Sequence, residues 1–318
     1  MNFDVFNGDA DGIIALLQLR LADNKPSTLI TGVKRDIELL KQVEAGKGDN
    51  VTVLDISMEK NIEPLQVLLE KGVNIFYADH HRSGDIPSFT NLNAHINLDA
   101  NCCTSLLVDE VLKGKYRNWA ITAAFGDNLF AKANELCELE GLSSQQSEQL
   151  KELGTLINYN GYGANVTDLH FHPADLYLAL LQYPCPFEVV HDLNSPYYVL
   201  KSAYKIDFEN AKAIEPILDD SKLAVFELPN TTWAKRISGV YGNYLANESP
   251  SRAHAVLTDN NDGSYTVSLR APLNNKQGAG DICCQFATGG GRSAAAGVNK
   301  LPKGHIKDFI KAVELYYS

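Results

Sequence analysis

The 318-residue sequence predicts an α/β fold: a parallel sheet with helices on both faces, joined by a helical linker to a smaller α/β domain. Three observations predict it. Short apolar runs alternate with amphipathic ones through the first hundred residues. The chain is longer than one hydrophobic core usually serves, which suggests about two domains. A second β signature begins after Asp219.

In order, FDVF is followed by GIIALLQLRLA, STLITG by DIELLKQVEAG, VTVLDI by PLQVLLEKG, and VNIFYAD by a loop. Each apolar run reads as a buried strand and each longer stretch as its crossover helix. From Leu142 to about Leu218 the pattern turns helical, with DLYLALLQY and a Pro-punctuated stretch near His191 to Pro196. Residues 1–190 are thus expected to form the first domain, 191–220 the linker and 221–318 the second. There, KLAVFEL precedes the amphipathic WAKRISGVYGNYLA, and NNDG inside HAVLTDNNDGSYTVSLRAP is a hairpin turn signal. The glycine-rich GGGRSAAAGVNKLP and a closing helix follow.

Composition narrows the function. No apolar run reaches membrane-spanning length, and MNFDVFNGD lacks the marks of a signal peptide, so a cytoplasmic location without membrane partners is expected. The six cysteines include no CxxC pair and read as reduced, mostly buried thiols. The net charge of −11 disfavours wrapping long nucleic acid. It is unevenly spread: from Ser221 onward there are 11 Lys and Arg against 7 Asp and Glu, and before it 17 against 32. The first part suits cations and the second anions.

The acids fall at informative places. Asp9 and Asp11 follow the first apolar run in NGDADG, Asp55 closes VTVLD, Asp79 closes VNIFYAD before His80 and His81, and Asp127 ends AAFGD. In an open parallel sheet the carboxyl ends of the strands share one edge, where ligands bind. Taken singly, each Asp reads as a helix cap or turn residue and the His pair as a surface loop. Crowded together they would repel unless neutralised by cations. Oxygen ligands with one or two imidazoles suit manganese or magnesium. A two-ion site is expected, with Asp55 bridging, Asp9 on one ion, and Asp11, His80 and Asp127 on the other, clamping a phosphoryl group and activating a water.

FNGDADGIIA, the aspartate of VTVLDIS, YADHHRSG and AAFGDN resemble, in order, the four motifs of the DHH phosphoesterase superfamily, which includes RecJ exonucleases, nano-RNases, cyclic dinucleotide phosphodiesterases and exopolyphosphatases. YTVSLRAP with TGGGRSAAAG resembles the accompanying DHHA1 substrate domain. The resemblance spans nearly the whole chain. It implies a two-manganese centre, with magnesium as a substitute, on Asp9, Asp11, Asp55, His80 and Asp127. It also implies that Asp79 orients a neighbouring imidazole and that His81 faces the scissile phosphate. Two departures stand out: Asn7, where many relatives carry His or Asp, offers only a neutral amide oxygen as a further ligand, and Arg292 follows the glycines where the second domain usually has His.

Gly289, Gly290 and Gly291 would let backbone N–H groups approach a phosphate, with Arg270 and Arg292 adding charge; the plainer reading is a tight turn before a small-residue helix. A metal centre combined with a compact basic grip suits a substrate about two nucleotides long. The expected function is hydrolysis of very short oligoribonucleotides, such as pGpG from cyclic diguanylate turnover, to mononucleotides, with Asp55, His80 and His81 as catalytic residues. The alternatives are an exopolyphosphatase or nucleoside bisphosphate phosphatase, and a non-catalytic nucleotide sensor. A homo-oligomer is compatible with the sequence.

Overall fold

In the computed structural model, which describes all 318 residues, the chain divides into two units, Met1–Ser202 and Ala203–Ser318. The first is built on β1 (Asn2–Phe6), α1 (Ala10–Ala22), β2 (Thr28–Ile30), β3 (Asn50–Leu54), α2 (Ile62–Glu70), β4 (Asn74–Asp79) and β5 (Leu92–Ile96). The strands form one sheet in the order β2-β1-β3-β4-β5, with every neighbouring pair parallel.

Period-two alternation gives the sheet two buried faces. Phe3, Val5, Val51, Val53, Ile75 and Tyr77 share one core with Leu65, Leu68 and Leu69 of α2. On the other face, Asp4 of β1 is ion-paired with Arg20 of α1 (Nε to Oδ2, 2.8 Å), and the same guanidinium reaches Thr52 Oγ1 of β3 at 3.1 Å. Helices therefore cover both faces. Beyond β5 the unit is helical: α3 (Thr104–Val111), α4 (Arg117–Gly126), α5 (Phe130–Leu139), α6 (Ser144–Asn160), α7 (Pro173–Leu180) and α8 (Pro186–His191). Helix α1 packs against α3, α4, α6 and α7. The next helix, α9 (Pro196–Lys212), carries the chain from one unit into the other.

Two segments differ from expectation. DIELLKQVEAG forms only a turn of 3-10 helix, Leu39–Gln42. Side chains hold this loop in place of a backbone ladder: Asp36 Oδ2 accepts from Val33 N at 3.0 Å, and the Asn61 amide bonds both Ile37 O and Leu40 N. The loop after YAD contains β5, LNAHI, a half-exposed strand whose weak alternation concealed it.

The second unit contains β6 (Leu218–Asp219), β7 (Leu223–Leu228), α10 (Thr232–Glu248), β8 (Ala253–Asp259), β9 (Ser264–Arg270), α11 (Ala279–Cys283), β10 (Gly289–Gly291), β11 (Ala295–Pro302) and α12 (Ile306–Tyr316). Its sheet runs β10-β11-β9-β8-β7-β6, parallel only between β7 and β8. The NNDG hairpin is present, with Asn261 and Gly263 in the left-handed region that such a turn requires. The AAAG segment is not the small-residue helix of the plainer reading. From Ala295 onward it lies in β11, paired with β10 on one side and β9 on the other. No helix of the chain is long and apolar enough to cross a membrane.

Candidate metal centre

The carboxyl edge of the first sheet assembles the centre. Asp9 follows β1 and caps α1, its Oδ1 accepting from Asp11 N (3.0 Å) and Gly12 N (3.1 Å). Asp55 follows β3, and Asp79, His80 and His81 come from the end of β4. Asp127 ends α4, where two glycines permit a close helix crossing: a Cβ on Gly154 would lie 2.0 Å from Thr122 O, and one on Gly126 would lie 2.6 Å from Ala10 Cβ. The small residues of AAFGDN thus bring the acid to the edge.

His80 is the hub. Its Nδ1 lies 2.7 Å from Cys102 O and so donates its N–H there, which leaves Nε2 as the ring atom facing the carboxylates. Nε2 is 3.3 Å from Asp55 Oδ1, 3.7 Å from Asp11 Oδ2 and 3.9 Å from Asp127 Oδ2. His81 Nδ1 is 2.6 Å from Asp79 Oδ1 and 3.8 Å from Asp55 Oδ1. Asp55, His80 and His81 each offer a ligand atom within 4.8 Å of the others. Two imidazoles and a carboxylate fit one divalent transition-metal ion.

Asp55 stands among the most negative surroundings of the group. Burial, then the charges of Asp11, Asp9, Asp79 and Asp127, push its carboxyl well above the usual range. Its φ of 59° lies in the left-handed region, a strained position for a non-glycine residue, and its Oδ1 accepts from Thr104 Oγ1 at 3.1 Å. Asp79 goes the other way: burial opposes its charge, but His81 outweighs that and holds the carboxyl low. Asp79 Oδ1 is within hydrogen-bond distance of the His81 ring.

The remaining predicted residues are placed as follows. Asp11 caps α3 through space, with Oδ2 and Oδ1 accepting from Thr104 N and Ser105 N at 2.7 Å each. The helix dipole favours a carboxylate there. Asn7 Oδ1 accepts from Asp9 N at 3.2 Å and Asn7 Nδ2 donates to Lys34 O at 3.1 Å. In the second unit, Gly289, Gly290 and Gly291 form the edge strand β10, followed by half-buried Arg292. Arg270 is 7% exposed, and its guanidinium bonds Asn243 Oδ1 (2.6 Å), Ser268 Oγ (2.9 Å) and the carbonyls of Leu269 and Gly239.

One charged group of the site escaped sequence reasoning. Lys34, on the loop after β2, is ion-paired with Asp9 and lies 3.8 Å from Asp127 Oδ1. Burial opposes its charge, but Asp9 foremost pushes its pKa above the usual lysine value. Asp9, despite its own burial, is held below the carboxylate range by Lys34. The available signal was position: GVKRD follows a strand of the same parallel sheet, so it opens on the same edge.

The fold, a five-stranded parallel sheet in a chain that continues into a mixed-sheet unit, is that of solved DHH-domain structures. A DHH domain described as a member of the s1p family of ribosomal proteins matches with a TM-score of 0.64 at 15% identity, over 99% of this chain and 86% of that one. Exonuclease RecJ bound to manganese matches with 0.59 at 16%, over 99% and 90%. The pGpG-specific phosphodiesterase PggH from Vibrio cholerae matches with 0.58 at 14%, over 99% and 98%. No protein-family model matches the sequence, and the search of curated proteins returns no match.

Proposed function

We propose that the chain is a metal-dependent phosphodiesterase that hydrolyses very short oligoribonucleotides, linear dinucleotides such as pGpG, to mononucleotides. The observation that carries this reading is the convergence of Asp55, His80 and His81, each oriented by a partner: Thr104 for Asp55, Cys102 O for His80 and Asp79 for His81. Manganese or magnesium bound there would supply Lewis-acid charge and lower the pKa of water. Asp55 and His80 would hold the ion, with His81 beside them. His81, whose Nδ1 faces Asp79, would offer its other ring nitrogen to the ion or to a phosphate oxygen.

Substrate size rests on supporting arguments. The acidic first part of the chain disfavours a long polyanion, and the basic excess after Ser221 suits a compact phosphate grip involving Arg292 and the glycine strand. The likeness to a pGpG-specific phosphodiesterase extends over nearly the full length of both chains.

The test is manganese-dependent release of mononucleotide from pGpG, with a 20-mer RNA, polyphosphate and a nucleoside 3′,5′-bisphosphate in parallel. Turnover of the dinucleotide at least tenfold above the others, lost in Asp55→Asn, is expected. Equal rates on dinucleotide and 20-mer would overturn the size claim. Fastest cleavage of polyphosphate or of the bisphosphate would replace the substrate. Tight nucleotide binding without any turnover would make the protein a sensor.

A further inference from the structure

The Asp9 side of the centre already contains a cation, with Asp127 between it and His80: Asp127 Oδ1 is 3.8 Å from Lys34 Nζ and its Oδ2 3.9 Å from His80 Nε2. Lys34 reaches it from the rim: its side chain is 28% exposed, while those of Asp9 and Asp127 are 4% and 5% exposed. Besides the Asp9 ion pair and the approach to Asp127, its ammonium lies 3.4 Å from the buried Asn158 Oδ1 and 5.5 Å from the centre of the Tyr162 ring. An ammonium has three N–H donors and no acceptor, and this cradle is made of acceptors and a π face.

The backbone of Lys34 is fixed with equal care. Its N–H donates to Gly161 O at 2.8 Å, and its carbonyl accepts from Asn7 Nδ2 at 3.1 Å. The loop lies so close to the NGDADG turn that a Cβ on Gly8 would stand 1.8 Å from Gly32 O. Asn7 Oδ1 is meanwhile engaged by Asp9 N. The amide that would be a neutral ligand on this side thus holds the lysine loop against the turn instead. A divalent ion between Asp9 and Asp127 would have to displace a paired ammonium, because two cations within a few ångströms of each other repel strongly in a buried site.

We propose that Lys34 is the resident cation of the Asp9–Asp127 half, so that the protein works with a single divalent ion, held at Asp55, His80 and His81, where the sequence alone predicts two. This rests on the metal-dependent reading above. The lysine supplies a fixed charge that cannot dissociate and N–H donors suited to a phosphate oxygen. Only the other half of the centre then depends on metal supply.

The experiment counts manganese in the full chain by equilibrium dialysis with elemental analysis and records the electron paramagnetic resonance spectrum. Wild type is expected to bind a single ion with an uncoupled signal, Lys34→Arg likewise, and Lys34→Gln to take up a second ion with an exchange-coupled signal. Two ions in wild type would overturn the inference, as would a folded Lys34→Gln that still binds only one. No bound ion in wild type would overturn it together with the metal-dependent function. The expected counts without cleavage of any phosphoester would leave Lys34 its role and remove the function.

Discussion

His81 Nδ1 lies 2.6 Å from Asp79 Oδ1, and the second oxygen of that fully buried carboxylate has no partner. The one side chain that Asp79 hydrogen-bonds is thus the His81 imidazole. Asp79→Asn keeps the volume and an acceptor but removes the charge. Turnover should fall about 10–100-fold, as is usual for carboxylates behind a metal-site histidine, with the circular dichroism spectrum unchanged. Wild-type turnover in a folded variant would show that His81 needs no such support.

Asp55 should destabilise the metal-free protein. Its carboxyl is raised above 3.8 by burial and by four neighbouring aspartates, so the native state binds more protons than the unfolded one as pH rises from that value. Stability must then fall with rising pH across this window. The opposite contributions of Asp9 and Asp79, whose carboxyls are held low, are complete above 3.8. Asp55→Asn should flatten the fall and raise the melting temperature of metal-free protein at pH 8, while manganese should do the same for wild type only. Asn suits the left-handed backbone at φ 59° better than Ala, which would add a strain of about 1–2 kcal/mol.

Arg270 fastens β9 to α10. Its guanidinium bonds Asn243 and Gly239 O on the helix and Ser268 on its own strand, so Arg270→Met would leave buried acceptors without donors. A loss of about 2–4 kcal/mol is expected, because each unsatisfied group costs roughly 1–3 kcal/mol. The denaturant midpoint measures it. A variant as stable as wild type would favour the substrate-binding role expected from the sequence.

His254 makes the second unit acid-sensitive. The ring is 1% exposed in β8 with Nδ1 unpartnered, and burial, then Arg252, push its pKa down to about 4 from 6.5. Its contribution to stability is whole above pH 6.5 and is lost as pH falls toward 4. Melting temperatures recorded from pH 7 to 4.5 should fall more steeply for wild type than for His254→Leu. Parallel curves would remove His254 as the cause.

The sequence made the β1, β3 and β4 ends legible because each apolar run terminates in an acid, and a parallel sheet places those ends together. What escaped it depended on tertiary context. Lys34 sits in a loop shaped by Asp36 and Asn61, so no periodicity marks it. Asp11 caps a helix that begins 93 residues later at Thr104, a relation no local pattern contains. The Ala-Ala-Gly run has helical propensity, but its pairing in β11 with both β9 and β10 makes it a strand.

Distance along the chain has a kinetic consequence for the centre. Residues 9, 55, 80 and 127 become neighbours only when the strands have joined in the order β2-β1-β3-β4-β5 and α4 has crossed α6. Long-range parallel pairing is slow to nucleate, and half a centre offers a cation little to hold. Manganese added to a refolding chain should therefore leave the early collapse unaffected and slow the reverse step, acting as a latch on the finished unit rather than a template for it.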